Sequence, residues 1–155
     1  MNKPLKYLGY SIVFAEVPDE ISLAIDISGC PHKCEGCHSS YLWEYKGNLL
    51  KDDLPTLISE NEGISCVCFM GGEQNTTELI EAIKYVKSVG LKTCLYSGED
   101  DINILKPLIH ELDYLKYGRY NNKLGGLDCK TTNQKMIDLN RGKEIVFYEN
   151  RSKQR

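Results

Sequence analysis

The stretch ISGCPHKCEGCHSSYLW, residues 27–43, holds three of the chain's seven cysteines, Cys30, Cys34 and Cys37. Thiolates are metal ligands, and a C-x3-C-x2-C spacing puts three of them in one loop. The odd total excludes complete pairing into disulfides within the chain. Two metal chemistries remain. Structural zinc takes four ligands, usually split into two separated pairs, and His32 or His38 could supply the fourth. One tight triplet is closer to iron–sulfur ligation, where three thiolates on a [4Fe–4S] cluster leave one iron without a protein ligand. The spacing favours a cluster and leaves zinc open.

Such a loop needs rigid elements to hold it. The segment 21–28, ISLAIDIS, reads as a buried strand that leads straight into the cysteines. Around it the chain alternates. Strands are predicted over 10–17, 64–70, 91–98, 113–118 and 143–150, with helices over 54–63, 76–90 and 102–112. Thr76 or Thr77 caps the second helix, Gly90 ends it, and Pro107 marks a break in the third. Residues 121–130 form a loop, and 133–140 is ambiguous. Alternation of this kind predicts an α/β fold with a mostly parallel sheet. A full eightfold barrel typically needs about 250 residues, so 155 residues leave a partial, open βα barrel or an open sheet. In such sheets ligands bind beyond the carboxyl ends of the strands. The cysteine loop, the Gly71-Gly72-Glu73 turn and the segment YSGED (96–100) each follow a predicted strand, so all three should meet on one rim. Gly71 and Gly72, without Cβ atoms, would let main chain approach a ligand closely.

Composition narrows the class further. At 41% hydrophobic the chain can build a core as a single domain over 1–155, with 151–155 a flexible tail. A net charge of −3 and a pI of about 5.6 argue against a nucleic-acid partner. The N-terminus lacks the apolar run of a signal peptide, and no stretch has the length of a membrane span, so the expected location is cytoplasmic, with no membrane partner. Clustered cysteines in that compartment bind metals or do catalysis. Cys66 and Cys68 alternate along a strand and, with Cys94, read as core residues. Cys129 lies in a loop, and His110 sits on a helix surface. Trp43, with Tyr41 and Tyr45, is expected to pack under the cysteine loop.

C-x3-C-x2-C at the end of a strand resembles the radical S-adenosylmethionine (SAM) superfamily. MGGEQ (70–74) is similar to that superfamily's GGE motif. With LYSGED (95–100), DYLKYGRY (113–120) and TTNQKMID (131–138), the chain resembles the activating proteins of anaerobic ribonucleoside-triphosphate reductases from about Tyr7 to Asn150. Gly36 stands where the superfamily usually has an aromatic residue, and Thr132 and Lys135 stand where this family has Ser and Arg. The resemblance implies a partial barrel of radical SAM type. It implies a [4Fe–4S] cluster on Cys30, Cys34 and Cys37, with SAM on the open iron. Gly36 and His38 would flank SAM, Gly71, Gly72 and Glu73 would meet its methionyl end, and Ser97 and Gly98 would line the pocket. The implied reaction is reductive cleavage of SAM and formation of a glycyl radical on the large reductase subunit, with a small electron donor such as a flavodoxin. Asp113 and Asn133 would face the partner's glycine loop or serve the structure. Other readings are a formate-lyase-type activase, a radical SAM enzyme acting on a small molecule, and a zinc-bearing interaction domain that binds through SSYLWEY.

Overall fold

Alternating side chains in four short strands set up two different faces. The computed structural model describes residues 3–30, 42–121, 123–127 and 129–147. Within them, β2 (Ser22–Ile27), β4 (Cys66–Met70), β5 (Lys92–Tyr96) and β6 (Tyr114–Tyr117) lie side by side and parallel. Leu23, Ile25, Ile27, Val67, Phe69, Leu95 and Leu115 share one face, since partners in register point the same way. On that face they pack against the apolar sides of α1 (Leu50–Glu60), α2 (Thr76–Ser88) and α3 (Lys106–Ile109). The opposite face carries Cys66, Cys68, Cys94, Tyr114 and Met136, covered by Val17 and flanked by Leu127 and Phe147.

Four more strands flank this centre: β1 (Lys6–Val13), β3 (Asn48–Leu49), β7 (Lys135–Asp138) and β8 (Lys143–Ile145). The order is β3-β1-β2-β4-β5-β6-β7-β8. All four outer pairings are antiparallel: β1 with β3, β1 with β2, β6 with β7, and β7 with β8. The expectation of a mostly parallel sheet is therefore corrected to a mixed α/β sheet in which antiparallel pairings outnumber parallel ones. Connection chemistry gives the reason. A helix lies in each connection between successive central strands, as a parallel crossover requires, whereas among the described residues the links from β1 to β2, β6 to β7 and β7 to β8 contain none. The sheet is open, with β3 and β8 at its two ends. Among the described residues no helix is long and apolar enough to cross a membrane.

Several local expectations shift. The strand expected over 10–17 runs instead from Lys6 to Val13, because pairing with β2 sets its limits rather than its own apolar run. The ambiguous 133–140 contains β7, and the two-residue β3 has no apolar signature. Over 102–112 the chain makes a 3₁₀ turn (Ile102–Leu105) and then the short α3, with Pro107 in the first turn, where its missing N–H costs no helical bond. The cap of α2 is Asn75, not Thr76 or Thr77: its side-chain oxygen accepts from the Glu78 N–H at 3.2 Å. The last strand ends at Ile145, and 148–150 lie outside the described residues, as do 151–155.

Glu20 fastens the amino ends of the central strands. Its carboxylate, buried, accepts from Ser65 Oγ at 2.8 Å and from the Tyr114 hydroxyl at 2.8 Å, and meets Lys92 Nζ at 3.0 Å. Burial alone would raise its pKa. The hydrogen bonds from Lys92, Ser65 and Tyr114, with the Lys92 charge, outweigh burial and hold it below the usual value. A lowered carboxyl pKa contributes stability that is present above the unfolded-state value and is lost as pH falls through the folded-state value. Urea midpoints should therefore decline as pH drops through the carboxylate range, and Glu20→Gln should flatten that decline while lowering the midpoint at neutral pH.

Candidate functional site

Register decides where the loops emerge. Asp26, Met70, Tyr96 and Lys116 form one row across β2, β4, β5 and β6, so these strands reach their carboxyl ends together. The loops that follow are bonded to one another. Gln74 Nε2 donates to the Ser28 carbonyl at 2.9 Å and ties the Gly-Gly-Glu turn to the end of β2. The Gly71 N–H donates to the Tyr96 carbonyl at 3.0 Å. Ser97, fully buried, donates from Oγ to Glu73 Oε1 at 3.1 Å and from its N–H to the Lys116 carbonyl at 2.8 Å. The Gly118 N–H donates to the Glu99 carbonyl at 2.8 Å, and Gln134 Nε2 donates to the Gly118 carbonyl at 3.3 Å. The rim expected from the sequence is thus one hydrogen-bonded band that brings Gly71, Gly72, Glu73, Ser97 and Gly98 together.

At one end of the band stands the base of the cysteine loop. Gly29 takes φ +79° directly after β2, and the N–H groups of Gly29 and Cys30 both donate to the Leu42 carbonyl, at 2.7 and 2.9 Å. The segment between them is therefore closed at its base. Ser28 Oγ accepts from the Lys46 N–H at 3.1 Å and anchors the returning chain. Tyr45 packs its ring beside Gly29 and donates its hydroxyl to the Pro4 carbonyl at 2.6 Å, while Leu42 is buried and Trp43 half-buried. Tyr45 thus packs at the base of the loop, and the loop it was expected to underlie lies, over 31–41, outside the described residues. Cys30 is half-buried and in no disulfide. Cys34, Cys37, Gly36, His38 and Tyr41 lie outside the described residues.

The turn at 70–74 needs its glycines for the backbone conformation itself. Gly71 and Gly72 adopt φ +103° and +110°, a left-handed conformation that side chains with Cβ resist. A Cβ on Gly72 would meet Leu79 Cδ1 at 3.2 Å, on the core side, and one on Gly71 would lie 3.6 Å from Ile27. The two glycines therefore bend the chain so that Glu73 starts a 3₁₀ turn beside Ser97.

Three residues of this region, Gln74, Lys116 and Asp26, were given no role from the sequence. Gln74 bridges two loops, as described. Lys116 is buried on the inner face, with Nζ donating to the carbonyls of Ser97 at 3.1 Å and Gly118 at 3.2 Å. Asp26 stands at the other end of the same row, about 14 Å away across three strand spacings. Tyr96 lies between them, and burial, foremost, raises its phenol pKa and keeps it neutral. The signal was present: Asp26 in SLAIDI and Lys116 in YLKY are charges inside otherwise apolar strands. Asp113, by contrast, sits at the amino end of β6, away from the rim. There it accepts from the Thr93 N–H at 2.9 Å and from Asn140 Nδ2 at 2.9 Å, a structural task. Asn133 is on the rim side, donating to the Arg119 carbonyl at 3.0 Å.

Metal chemistry separates the cysteines. Cys66, Cys68 and Cys94 have no exposure, and burial pushes the Cys66 and Cys94 thiols well above their ordinary pKa. Protonated thiols bind metal poorly, so these are core residues, as their alternation suggested. Among the described residues no group of three or more metal-ligating side chains forms a site. The loop cysteines suit a cluster in kind, and the junction beside them offers polar capacity. Gln74 Oε1 and Trp43 Nε1 are buried with no hydrogen-bond partner among the described residues.

Gly118 tests how the band is held. It has φ +111°, and a Cβ there would lie 3.0 Å from Gln134 Cα and 3.2 Å from the Asn133 carbonyl oxygen, both main chain. Gly118→Ala should cost about 2–3 kcal/mol, against about 1 kcal/mol for Gly63→Ala, whose φ is +90° but whose Cβ would enter open space. Urea unfolding of the two variants measures the difference.

Comparison with known proteins adds a family. The model described as "4Fe-4S single cluster domain" matches residues 21–137, from the start of β2 through β7. That span contains the cysteine loop and every strand end on the rim. No significant match is found among curated proteins or among solved structures. With the matching model covering well over half of its length, the chain belongs to the 4Fe-4S single cluster domain family.

Proposed function

We propose that this iron–sulfur protein is a radical SAM activase that forms a glycyl radical on the large subunit of an anaerobic ribonucleoside-triphosphate reductase. One observation carries the reading: a C-x3-C-x2-C loop is rooted on the same hydrogen-bonded rim as a Gly-Gly-Glu turn whose carboxylate is held by Ser97. In this reading Cys30, Cys34 and Cys37 hold a [4Fe–4S] cluster. When bound, that cluster would supply one electron for the reductive cleavage of SAM, the chemistry from which a glycyl radical on the partner would follow.

The chain's own residues bind and orient. Glu73 offers its carboxylate to the amino group of SAM, and Ser97 fixes that carboxylate's rotamer through the 3.1 Å hydrogen bond. Gly71 and Gly72 present their backbone at the turn, Gly98 lines the pocket beside Ser97, and Gly36 and His38 flank the adenosyl end. Lys116 holds the Ser97 and Gly118 carbonyls, which keeps two loops at fixed spacing. A sheet of this order, not closed into a barrel, suits a peptide loop inserted from a large partner. A small carrier such as a flavodoxin would deliver the electron.

The test uses anaerobically reconstituted protein with dithionite, SAM and a large reductase subunit. Methionine and 5′-deoxyadenosine should appear, together with the EPR doublet of a glycyl radical on the subunit. Cys34→Ala should lose the iron. Glu73→Gln should keep the iron yet require about tenfold or more SAM, the loss expected for a charge-assisted hydrogen bond. Efficient turnover of a small metabolite by the isolated protein, or no SAM cleavage with the cluster intact, would contradict the proposal.

A further inference from the structure

The chain as a whole is acidic, yet three lysines gather beside the root of the cysteine loop. Lys3 and Lys6 set their ammonium groups over one ring, with Nζ 5.0 and 4.8 Å from the centroid of Tyr45. The face of an aromatic ring attracts a cation, and here one tyrosine holds two. Lys46 follows Tyr45 in sequence and, like Lys3, is exposed. Among the described residues neither Lys3 nor Lys6 makes an ion pair, while Lys46 meets Glu44 at 3.5 Å, both exposed. Two carboxylates of neighbouring elements are already engaged: Asp53 accepts from the Tyr7 hydroxyl at 2.6 Å, and Glu78 from the Leu5 N–H at 2.7 Å. With Glu44 counted, the lysines still leave a positive patch.

That patch is fastened to the loop it flanks. The Lys6 carbonyl accepts from the Ser28 N–H at 2.9 Å, and the Lys46 N–H donates to Ser28 Oγ at 3.1 Å. The Tyr45 ring lies beside Gly29, the residue before Cys30. We propose that the patch is the docking face for a small one-electron carrier protein whose own redox centre is rimmed by acidic residues. The inference rests on the proposed function, because it takes the loop cysteines to hold the cluster. Electron-transfer partners meet through small, short-lived interfaces, and opposite charge steers them together. A few lysines around one ring, next to the root of the cluster loop, suit that kind of encounter. A nucleic acid would call for a broader basic surface than this acidic chain carries. The step balances directly: the carrier is oxidised by one electron and the cluster is reduced by one, with no bond made or broken.

The test mixes anaerobically reconstituted protein, without SAM, with reduced flavodoxin and follows cluster reduction by stopped-flow absorbance. The second-order rate constant should fall steeply as ionic strength rises, a readout that needs no variant. Lys3→Gln combined with Lys6→Gln should lower it about tenfold at low salt. Lys84→Gln combined with Lys106→Gln makes the same change of charge at exposed positions on α2 and α3 and should leave it within about twofold. Reduction by dithionite, a small ion that needs no docking, should change by no more than about twofold in either variant. Calorimetric binding of oxidised flavodoxin should weaken in parallel with the carrier rate. Iron and sulfide assayed on each preparation separate the two ways of failing. With the cluster intact, a carrier rate indifferent to salt or to the Lys3 and Lys6 changes would overturn the docking face and leave the proposed function standing. So would an equal loss with dithionite, or a loss of binding to the reductase subunit alone. Absence of a cluster in the unaltered protein would overturn both.

Discussion

The hydrogen-bonded band along the carboxyl ends of the central strands is the constraint on which the rest depends. It exists because Asp26, Met70, Tyr96 and Lys116 are in register, so four loops leave the sheet at one level. Each loop then spends a polar group on its neighbour: Gln74 on Ser28, Gly71 on Tyr96, Ser97 on Glu73 and Lys116, and Gly118 on Glu99. Bonds of this kind are individually worth about 1 kcal/mol. In the proposed function their effect is positional, since a carboxylate offered to a ligand has to be held before the ligand arrives.

The two faces of the sheet divide the labour. The helix side is a packed apolar core in which Phe69, Leu95 and Ile83 are fully buried. The other side carries thiols, thioethers and phenols. It is polar at both ends: Lys116 and Asp26 end the row at the rim, and Ser22 and Lys92 share a row with Cys66 at the amino ends, beside Glu20. Cysteine serves both purposes by placement. On β4 and β5 it is a small buried hydrophobe. At Cys30 it is half-buried, on a loop whose base is pinned to Leu42.

What could be read from the sequence was what local chemistry determines. The cysteine triplet, the Gly-Gly-Glu turn, the buried thiols and the meeting of loops on one rim follow from spacing, glycine content and alternation. The antiparallel outer strands were not legible, because β3 is two residues long and β1 takes its bounds from pairing with β2. The helix cap on Asn75 escaped because the two threonines next in sequence are also favoured cap formers. Lys116 and Asp26 escaped because a lone charge in an apolar strand acquires meaning only when register puts it in a row with others. The motif left Asp113 open between the partner's glycine loop and a structural role; strand direction puts it at the amino end of β6, where it accepts from Thr93 and Asn140.

The central claim is that the loop cysteines carry a [4Fe–4S] cluster with an iron open to SAM. The most direct measurement is iron and acid-labile sulfide content of anaerobically reconstituted protein, with low-temperature EPR of the reduced state with and without SAM. The account predicts about four irons and four sulfides per chain and a reduced-cluster signal that shifts when SAM is added. One zinc, no sulfide and no signal, or a signal indifferent to SAM, would contradict it.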